Sequence, residues 1–384
     1  MARRAVACAI VVALAATSCG GTTKHAAAPS PAPALRLTPQ LARTLDAQLR
    51  TDYADEDIAG VSAAIVFPDG REWSAADGFA VVATKQPMTP HTSLPFNSVT
   101  KTATAALALR YAEEGRLSLD DPIKRWYPAW NGDPAATVRE LLGHVAGTRD
   151  IPDAFFERVG THPHAFVSPR QTIAATPRAG RPTHEAVYSN TGFVIAGLIL
   201  QRAGRQSVAA GMRRELFDHP GGTGLALQPL ERAHPPHAHS YWSPHGVGGP
   251  RVDRNDASGL LPFRSVTYAA STAGALAGDV PSLALWEHGL LGGHILKADS
   301  LRQMTRFHPG AFSQGYGLGL ARDTLDGHIL WGHPGGGFGS HTELWHVPNE
   351  DLTVAVSWND DTLGSEAVFL RHLLRAVWAS EPGA

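Results

Sequence analysis

The sequence predicts a mixed α/β fold of the α+β type: one antiparallel sheet flanked by helices, with an all-helical lobe set into the middle of the chain. Three observations predict it. β-rich segments lie towards both ends, Gly60 to Val82 and about Tyr316 to Trp358. From about Thr100 to Phe217 the pattern is mainly helical. Amphipathic helices bracket the whole, one carrying Leu41, Leu45 and Leu49, the other Val368, Leu370, Leu373, Leu374 and Val377. Two N-terminal and about three C-terminal strands complete the sheet, and the terminal helices cover one face of it.

The chain opens with a processing segment. Arg3 and Arg4 precede an apolar run, Ala5 to Ala16, that is too short to span a bilayer. Ala16-Thr17-Ser18-Cys19 then resembles the lipobox of bacterial lipoproteins. The expectation is a signal peptide over 1–18 and a lipid on Cys19. The protein would then be exported and anchored to the outer face of the cell membrane. An ordinary secretory signal is the competing reading, because Ala16 stands where leucine is usual. Residues 19–37, Gly/Thr- and then Ala/Pro-rich, read as a flexible tether. The only other cysteine, Cys8, lies in the leader. A disulfide, a catalytic cysteine and a cysteine-ligated metal are therefore excluded from the mature domain.

Residues 38–384 read as one large domain: a sheet lobe over about 38–95 and 310–384, and a helical lobe over about 96–309. Of the 384 residues, 43% are hydrophobic and 18% charged, enough to bury a sizeable core. The net charge of −2 gives no basic surface for nucleic acid. Thr38-Pro39 signals a helix start. Gly60 to Phe67, the turn Pro68-Asp69-Gly70 and Glu72 to Val82 form a hairpin. An Ala/Leu-rich helix follows Ser98, is apolar nearly all round and stops at Gly115. Thr137 caps a short helix ending near His144, and Thr191 to Ala203 and Arg205 to Phe217 are further helices. His234 to Phe263 is a long loop. Thr272 to Gly289 reads as one helix, and Tyr316 to Leu320, Ile329 to Trp331, Thr342 to Val347 and Leu352 to Trp358 as strands.

Chemistry enters at Ser98-Val99-Thr100-Lys101. Three residues apart at a helix start, Ser98 and Lys101 share a face. A serine hydroxyl needs a base, and a lysine among apolar groups loses part of its preference for the charged form. The pair alone is common by chance. Two further motifs follow in order: Tyr188-Ser189-Asn190 before a helix, and His333-Pro334-Gly335 after a strand, trailed by Gly336, Gly337 and Gly339.

Together these resemble the three motifs of the serine penicillin-recognising hydrolases. The match is to the branch with tyrosine in the second motif and histidine in the third. That branch holds class C β-lactamases, serine D-alanyl-D-alanine carboxypeptidases and related esterases. Leu94-Pro95-Phe96-Asn97, Leu119-Asp120-Asp121-Pro122, Thr137 to His144 and Tyr316-Gly317-Leu318-Gly319 fit the same family, so the resemblance spans Ile58 to Trp358. It implies a β-lactamase/transpeptidase-like fold with its site at the lobe interface. Ser98 would become acylated, and Lys101 or Tyr188 would be the base. Asn190 would orient Lys101 and substrate, His333 would supply a donor or positive character to the substrate, and Ser98 and Gly336 N–H, beside Gly335, would form the oxyanion hole. No cofactor and no metal are implied. Pro334 departs from the usual Thr or Ser, which holds a substrate carboxylate. The expected function is therefore a cell-envelope serine hydrolase of D-Ala-D-Ala-type, peptidoglycan-like peptides or of esters. A β-lactamase, or a catalytically weak penicillin-binding or sensing module, are the alternatives. His144 reads as structural. His234, His237 and His239 read as a solvated loop rather than a metal site. The sequence leaves the oligomeric state open.

Overall fold

A computed structural model describes residues 35–243, 249–310, 312, 314–361 and 368–380. The leader, Cys19 and the tether up to residue 34 lie outside the described residues. The first helix, α1 (Pro39–Asp55), begins where its signals place it: the Thr38 hydroxyl accepts from the Leu41 N–H at 3.1 Å, and Pro39 fills the first turn. Leu41, Leu45 and Leu49 are its buried stripe.

Among the described residues the sheet has seven antiparallel strands. They are β1 (Gly60–Val66), β2 (Glu72–Val81), β3 (Gln86–Pro87), β4 (Ala321–Leu325), β5 (His328–Gly336), β6 (His341–Val347) and β7 (Leu352–Trp358). Their order is β3-β2-β1-β7-β6-β5-β4. The chain ends are joined at β1 and β7, where Val61 pairs with Trp358 and Val66 with Thr353. Strand β1 is buried on both faces, so it reads as a continuous apolar run. Val61, Ala63 and Ile65 face one hydrophobic cluster, and Ala64 and Val66 face another. The first cluster includes α1 and the closing helix α5 (Val368–Trp378), through Phe369, Leu373, Leu374 and Val377.

The second cluster surrounds α2 (Thr100–Glu113), α3 (Asn190–Gly204) and α4 (Val280–Leu291). Every residue of α2 from Thr100 to Leu109 is buried. Its threonines stay satisfied: Thr100 donates locally to Asn97 O, and across the core Thr102 donates to Gly319 O and Thr104 to Thr272 O. Helix α4 packs on β1, β6 and β7. A helix assigned by sequence to the helical lobe thus roofs the second face of the sheet, and the two lobes share one core.

Four expectations change. The sheet holds β3 and β4 beyond the two N-terminal and about three C-terminal strands expected. Thr272 to Gly289 is not one helix. A 3-10 turn (Ser271–Ala273) and a short strand (Leu276–Gly278) precede α4, whose start is fixed by the Asp279 side chain accepting from Ser282 N–H. Arg205 interrupts the chain in the left-handed region, with φ of 53°, so the next helix starts only at Val208. Tyr316 to Leu320 is a turn rather than a strand. Gly319, with φ of 63°, packs so closely on α2 that a Cβ there would lie 2.5 Å from Lys101 O.

Glu287 on α4 is fully buried, and neither carboxylate oxygen has a hydrogen-bond partner among the described residues. Burial pushes its carboxyl up to about 8 from an ordinary value of 4.5. The native state keeps this proton over a window in which the unfolded chain releases it. Wild-type stability therefore falls as pH rises through that window, by up to about 1.4 kcal/mol per unit. Glu287→Met removes the slope. Its melting temperature relative to wild type should rise from pH 5 to pH 8, and a difference independent of pH would show that the group does not titrate this way.

Candidate active site

Ser98 lies in a 3-10 turn, Asn97–Val99, one turn ahead of the α-helix expected to carry it. Asn97 holds that turn in place: its φ is 47°, and its amide donates to Ser340 O and Oγ at 3.2 and 3.0 Å. Lys101 is in the first turn of α2, so the two side chains still meet, with Nζ 3.0 Å from Ser98 Oγ. Lys101 is 0% exposed. Its Nζ also donates to Asn190 Oδ1 at 2.8 Å and to Ala273 O at 2.7 Å. Desolvation brings its ammonium down to about 7, with Asp150 pulling the other way. The two carbonyl oxygens can only accept. In the neutral amine they take both N–H groups, and the lone pair is left facing the Ser98 hydroxyl.

Tyr188 OH also donates to Ser98 Oγ at 2.8 Å, and Lys101 Nζ lies 4.8 Å from the centre of its ring. Desolvation pushes this phenol well above its usual range, so it stays protonated. Its ring is held by His144, Phe312 and Tyr316, with centroids 4.6, 5.9 and 6.4 Å away. His144 has φ of 60° and accepts from Ser189 N–H at 3.2 Å. Burial holds it well below the ordinary imidazole value, so it is a neutral wall behind Tyr188.

Asn190 opens α3, and Ser189, not Asn190, is the cap: its hydroxyl accepts from Gly192 N–H at 3.1 Å. A residue that sequence reading missed fixes the amide. Asp150 accepts from Asn190 N–H at 2.8 Å and from Asn190 Nδ2 at 3.1 Å. A carboxylate accepts only, so it turns Asn190 Oδ1 towards Lys101. No motif marks Asp150. The sole cue is an acidic residue in the loop after His144.

The third motif is inside β5, not after it. A Cβ on Gly335 would lie 2.3 Å from Phe96 O and 3.2 Å from Ser98 N, so only glycine lets this strand touch the Ser98 turn. Gly336 lines the cleft at Ser98, which measures about 90 Å3 and is also walled by Asn190, Ile151, Phe156 and Phe338. His333 departs from its expected role. It is 0% exposed, with Nε2 3.0 Å from Tyr316 OH and Nδ1 2.6 Å from Pro334 O. Burial takes it down to about 3, so it is neutral, bonded on both nitrogens and offers the substrate neither charge nor a free donor. Pro334 lines a separate groove with Asp323, Glu343 and Arg371.

Among the described residues one group has metal-ligand proximity: His288, His346 and Asp351, whose ligand atoms lie within 4.8 Å of one another. Both imidazoles bond Thr353 Oγ1 through Nδ1. In the His234 loop, His237 bonds Ala233 O, and His239 meets an acid that sequence reading did not pair with it, Asp253, at 2.8 Å.

Asp150→Asn should shift the acidic limb of Ser98 fluorophosphonate labelling to lower pH, because the Asp150 charge raises the Lys101 pKa. It should also lower the plateau rate about tenfold, as one charge-assisted bond to Asn190 weakens by roughly 1.5 kcal/mol. A purely structural Asp150 would leave the limb in place.

A family model described as Beta-lactamase matches residues 42–377. The D-aminopeptidase of Brucella anthropi is 27% identical over 314 residues, covering 79% of this chain and 57% of that protein. The chain thus spans little more than half the length of that relative. A D-amino acid amidase from Ochrobactrum anthropi, solved with L-phenylalanine amide, superposes with a TM-score of 0.76 at 22% identity, covering 89% of this chain and 100% of the other. A D-stereospecific amidohydrolase from Streptomyces sp. gives 0.71 at 24%, covering 89% and 97%. An octameric penicillin-binding protein homologue from Pyrococcus abyssi gives 0.74 at 22%, covering 88% and 77%. The match over most of its length, and a fold shared with these structures, mean that this chain belongs to the beta-lactamase family.

Proposed function

We propose that this protein is a serine hydrolase that forms an acyl-enzyme at Ser98 and cleaves amides of D-amino acids or short D-amino-acid peptides. The observation that carries this reading is the three-way hold on Lys101 Nζ. Two carbonyl acceptors and a desolvated amine leave one lone pair, and it meets the Ser98 hydroxyl. Lys101 takes the Ser98 proton as Oγ attacks the substrate carbonyl. The N–H groups of Ser98 and Gly336 receive the oxyanion, each such donor contributing roughly 3–4 kcal/mol. Tyr188, protonated and bonded to Oγ, passes its proton to the leaving amine and is reprotonated from the Lys101 ammonium, so the proton taken from Ser98 ends on the amine. Water then releases the acyl group.

The substrate class draws support from two sides. The relatives named D-aminopeptidase and D-amino acid amidase point to an amide of a D-residue. The neutral His333 and the proline at 334 give no cation or hydroxyl for a free carboxylate, so carboxypeptidase-type and β-lactam substrates fit less well than amides and esters. We further propose that Cys19 carries the lipid that holds the enzyme on the outer face of the cell membrane.

Intact-mass labelling with a fluorophosphonate should modify the wild type and not Ser98→Ala; labelling that persists in Ser98→Ala refutes the mechanism. D-alanine p-nitroanilide should be cleaved faster than its L-isomer and faster than a D-Ala-D-Ala peptide, and the reverse order overturns the substrate class. Neutral Lys101 accumulates above its pKa, so kcat/KM should rise with pH through about 7 and level off above. Tyr188→Phe should cost about 100-fold or more. Cys19→Ala should move the protein from the membrane to the soluble fraction, and unchanged fractionation refutes the anchor.

A further inference from the structure

Beyond the 90 Å3 cleft at Ser98 lies a second cavity of about 300 Å3, and the two share Phe156 and Phe338 as walls. We propose that this outer cavity is a subsite for a large apolar or aromatic side chain on the acyl half of the substrate, and that Phe338 is the gate between it and the Ser98 cleft. The inference rests on the acyl-enzyme reading.

Size separates the two spaces. At roughly 30 Å3 per water, the inner cleft has room for about three waters. That is enough for a scissile carbonyl with a small substituent. The outer cavity has about the volume from which small-molecule sites begin. Its walls suit an aromatic guest. Phe338 and Phe156 lie 6.1 Å apart at 47°, and Phe263 meets Phe338 edge-on at 5.9 Å. Trp242, 43% exposed, forms the outer side. Of the charged groups on the wall, Glu157 is exposed to solvent, while Arg254 and Asp361 are engaged within the protein. The Arg254 guanidinium lies 5.5 Å over Trp242 and 5.1 Å over Phe263, donates to Gly160 O, and interacts with Asp361. Asp361 in turn accepts from Ser243 N–H at 3.0 Å.

The backbone marks Phe338 as a gate. Its φ is 58°, in the left-handed region that bulky residues avoid, and it stands between Gly337 at 124° and Gly339 at 89°. A strained aromatic residue flanked by two glycines is held there by its ring contacts rather than by its backbone preference. The space for the ring is left by Gly160, where a Cβ would come within 3.3 Å of Phe338 Cε1. Phe338 lies in the turn two residues past Gly336, the last residue of β5, and lines the Ser98 cleft together with Gly336.

The test compares kcat/KM for p-nitrophenyl acetate and p-nitrophenyl phenylacetate, esters that any Ser98 acyl-enzyme accepts. Phe338→Ala should raise the phenylacetate-to-acetate ratio at least tenfold. Adding Thr161→Trp, which fills the outer cavity from its exposed rim, should return the ratio to near the wild-type value. A ratio within twofold of wild type in Phe338→Ala overturns the gate. A raised ratio that Thr161→Trp does not reverse overturns the subsite. If Phe338→Ala does not fold, Phe338→Leu decides by the same ratio, with a threefold or greater rise expected. Failure of the underlying reading shows separately, as ester hydrolysis by Ser98→Ala at the wild-type rate.

Discussion

A lysine ammonium buried in the core of a domain is costly, and the arrangement around Lys101 is what that cost requires. Three partners receive Nζ, and each comes from a different part of the chain. Ser98 is one turn away, Asn190 begins the helix of the second motif, and Ala273 ends a 3-10 turn. The Ala273 carbonyl is available only because the chain breaks there; had residues 272–289 run on as one helix, that oxygen would have been spent within it. The amide of Asn190 is in turn set by Asp150. Moving any of these groups changes how readily Lys101 sheds its proton, and with it the chemistry available to Ser98.

The same economy governs the strand opposite. β5 reaches the Ser98 turn because Gly335 has no side chain, and the turn stays in place because Asn97 bonds to Ser340 beyond the strand's end. The sheet is therefore tied to the helical region through the site itself as well as through α4, which roofs the sheet while belonging in sequence to the helical segment. Two lobes in sequence become one core in space, and the cleft opens where backbone meets backbone too closely for side chains to fill it.

Around this centre the aromatic groups are neutral by burial. His144, His333, Tyr316 and Tyr188 pack on one another, each with its charged form disfavoured by desolvation. Lys101, brought to near neutrality, is left as the ionisation in the cluster that answers to physiological pH. Membership of the beta-lactamase family fits this plan. The histidine of the third motif is turned inward to Tyr316, and Phe338 forms a wall of the cleft beside Gly336.

Much of this was legible in the sequence. Alternating and continuous apolar runs give strands wherever both faces are covered, so β1, β2, β6 and β7 could be read directly. Caps such as Thr38-Pro39 fix helix starts locally. Motif order tied Ser98, Lys101, Tyr188 and Asn190 to one another, because side-chain chemistry at a given spacing is a local property. Asp150 was not legible, since a lone acid in a loop carries no pattern. Neither was the neutrality of His333, because desolvation depends on what packs around an imidazole and not on the residues beside it in the chain. The break before α4 did leave a mark in the sequence, since Gly278, Asp279 and Pro281 are ordinary signals of a helix start, but the apolar residues on either side read equally well as one helix. The sequence by itself determined which residue types meet at Ser98 and in what order they arrive. Only the tertiary structure decided which carbonyls face Lys101, which ring is buried and which side chains wall the Ser98 cleft, since those depend on distances between segments that the chain leaves far apart.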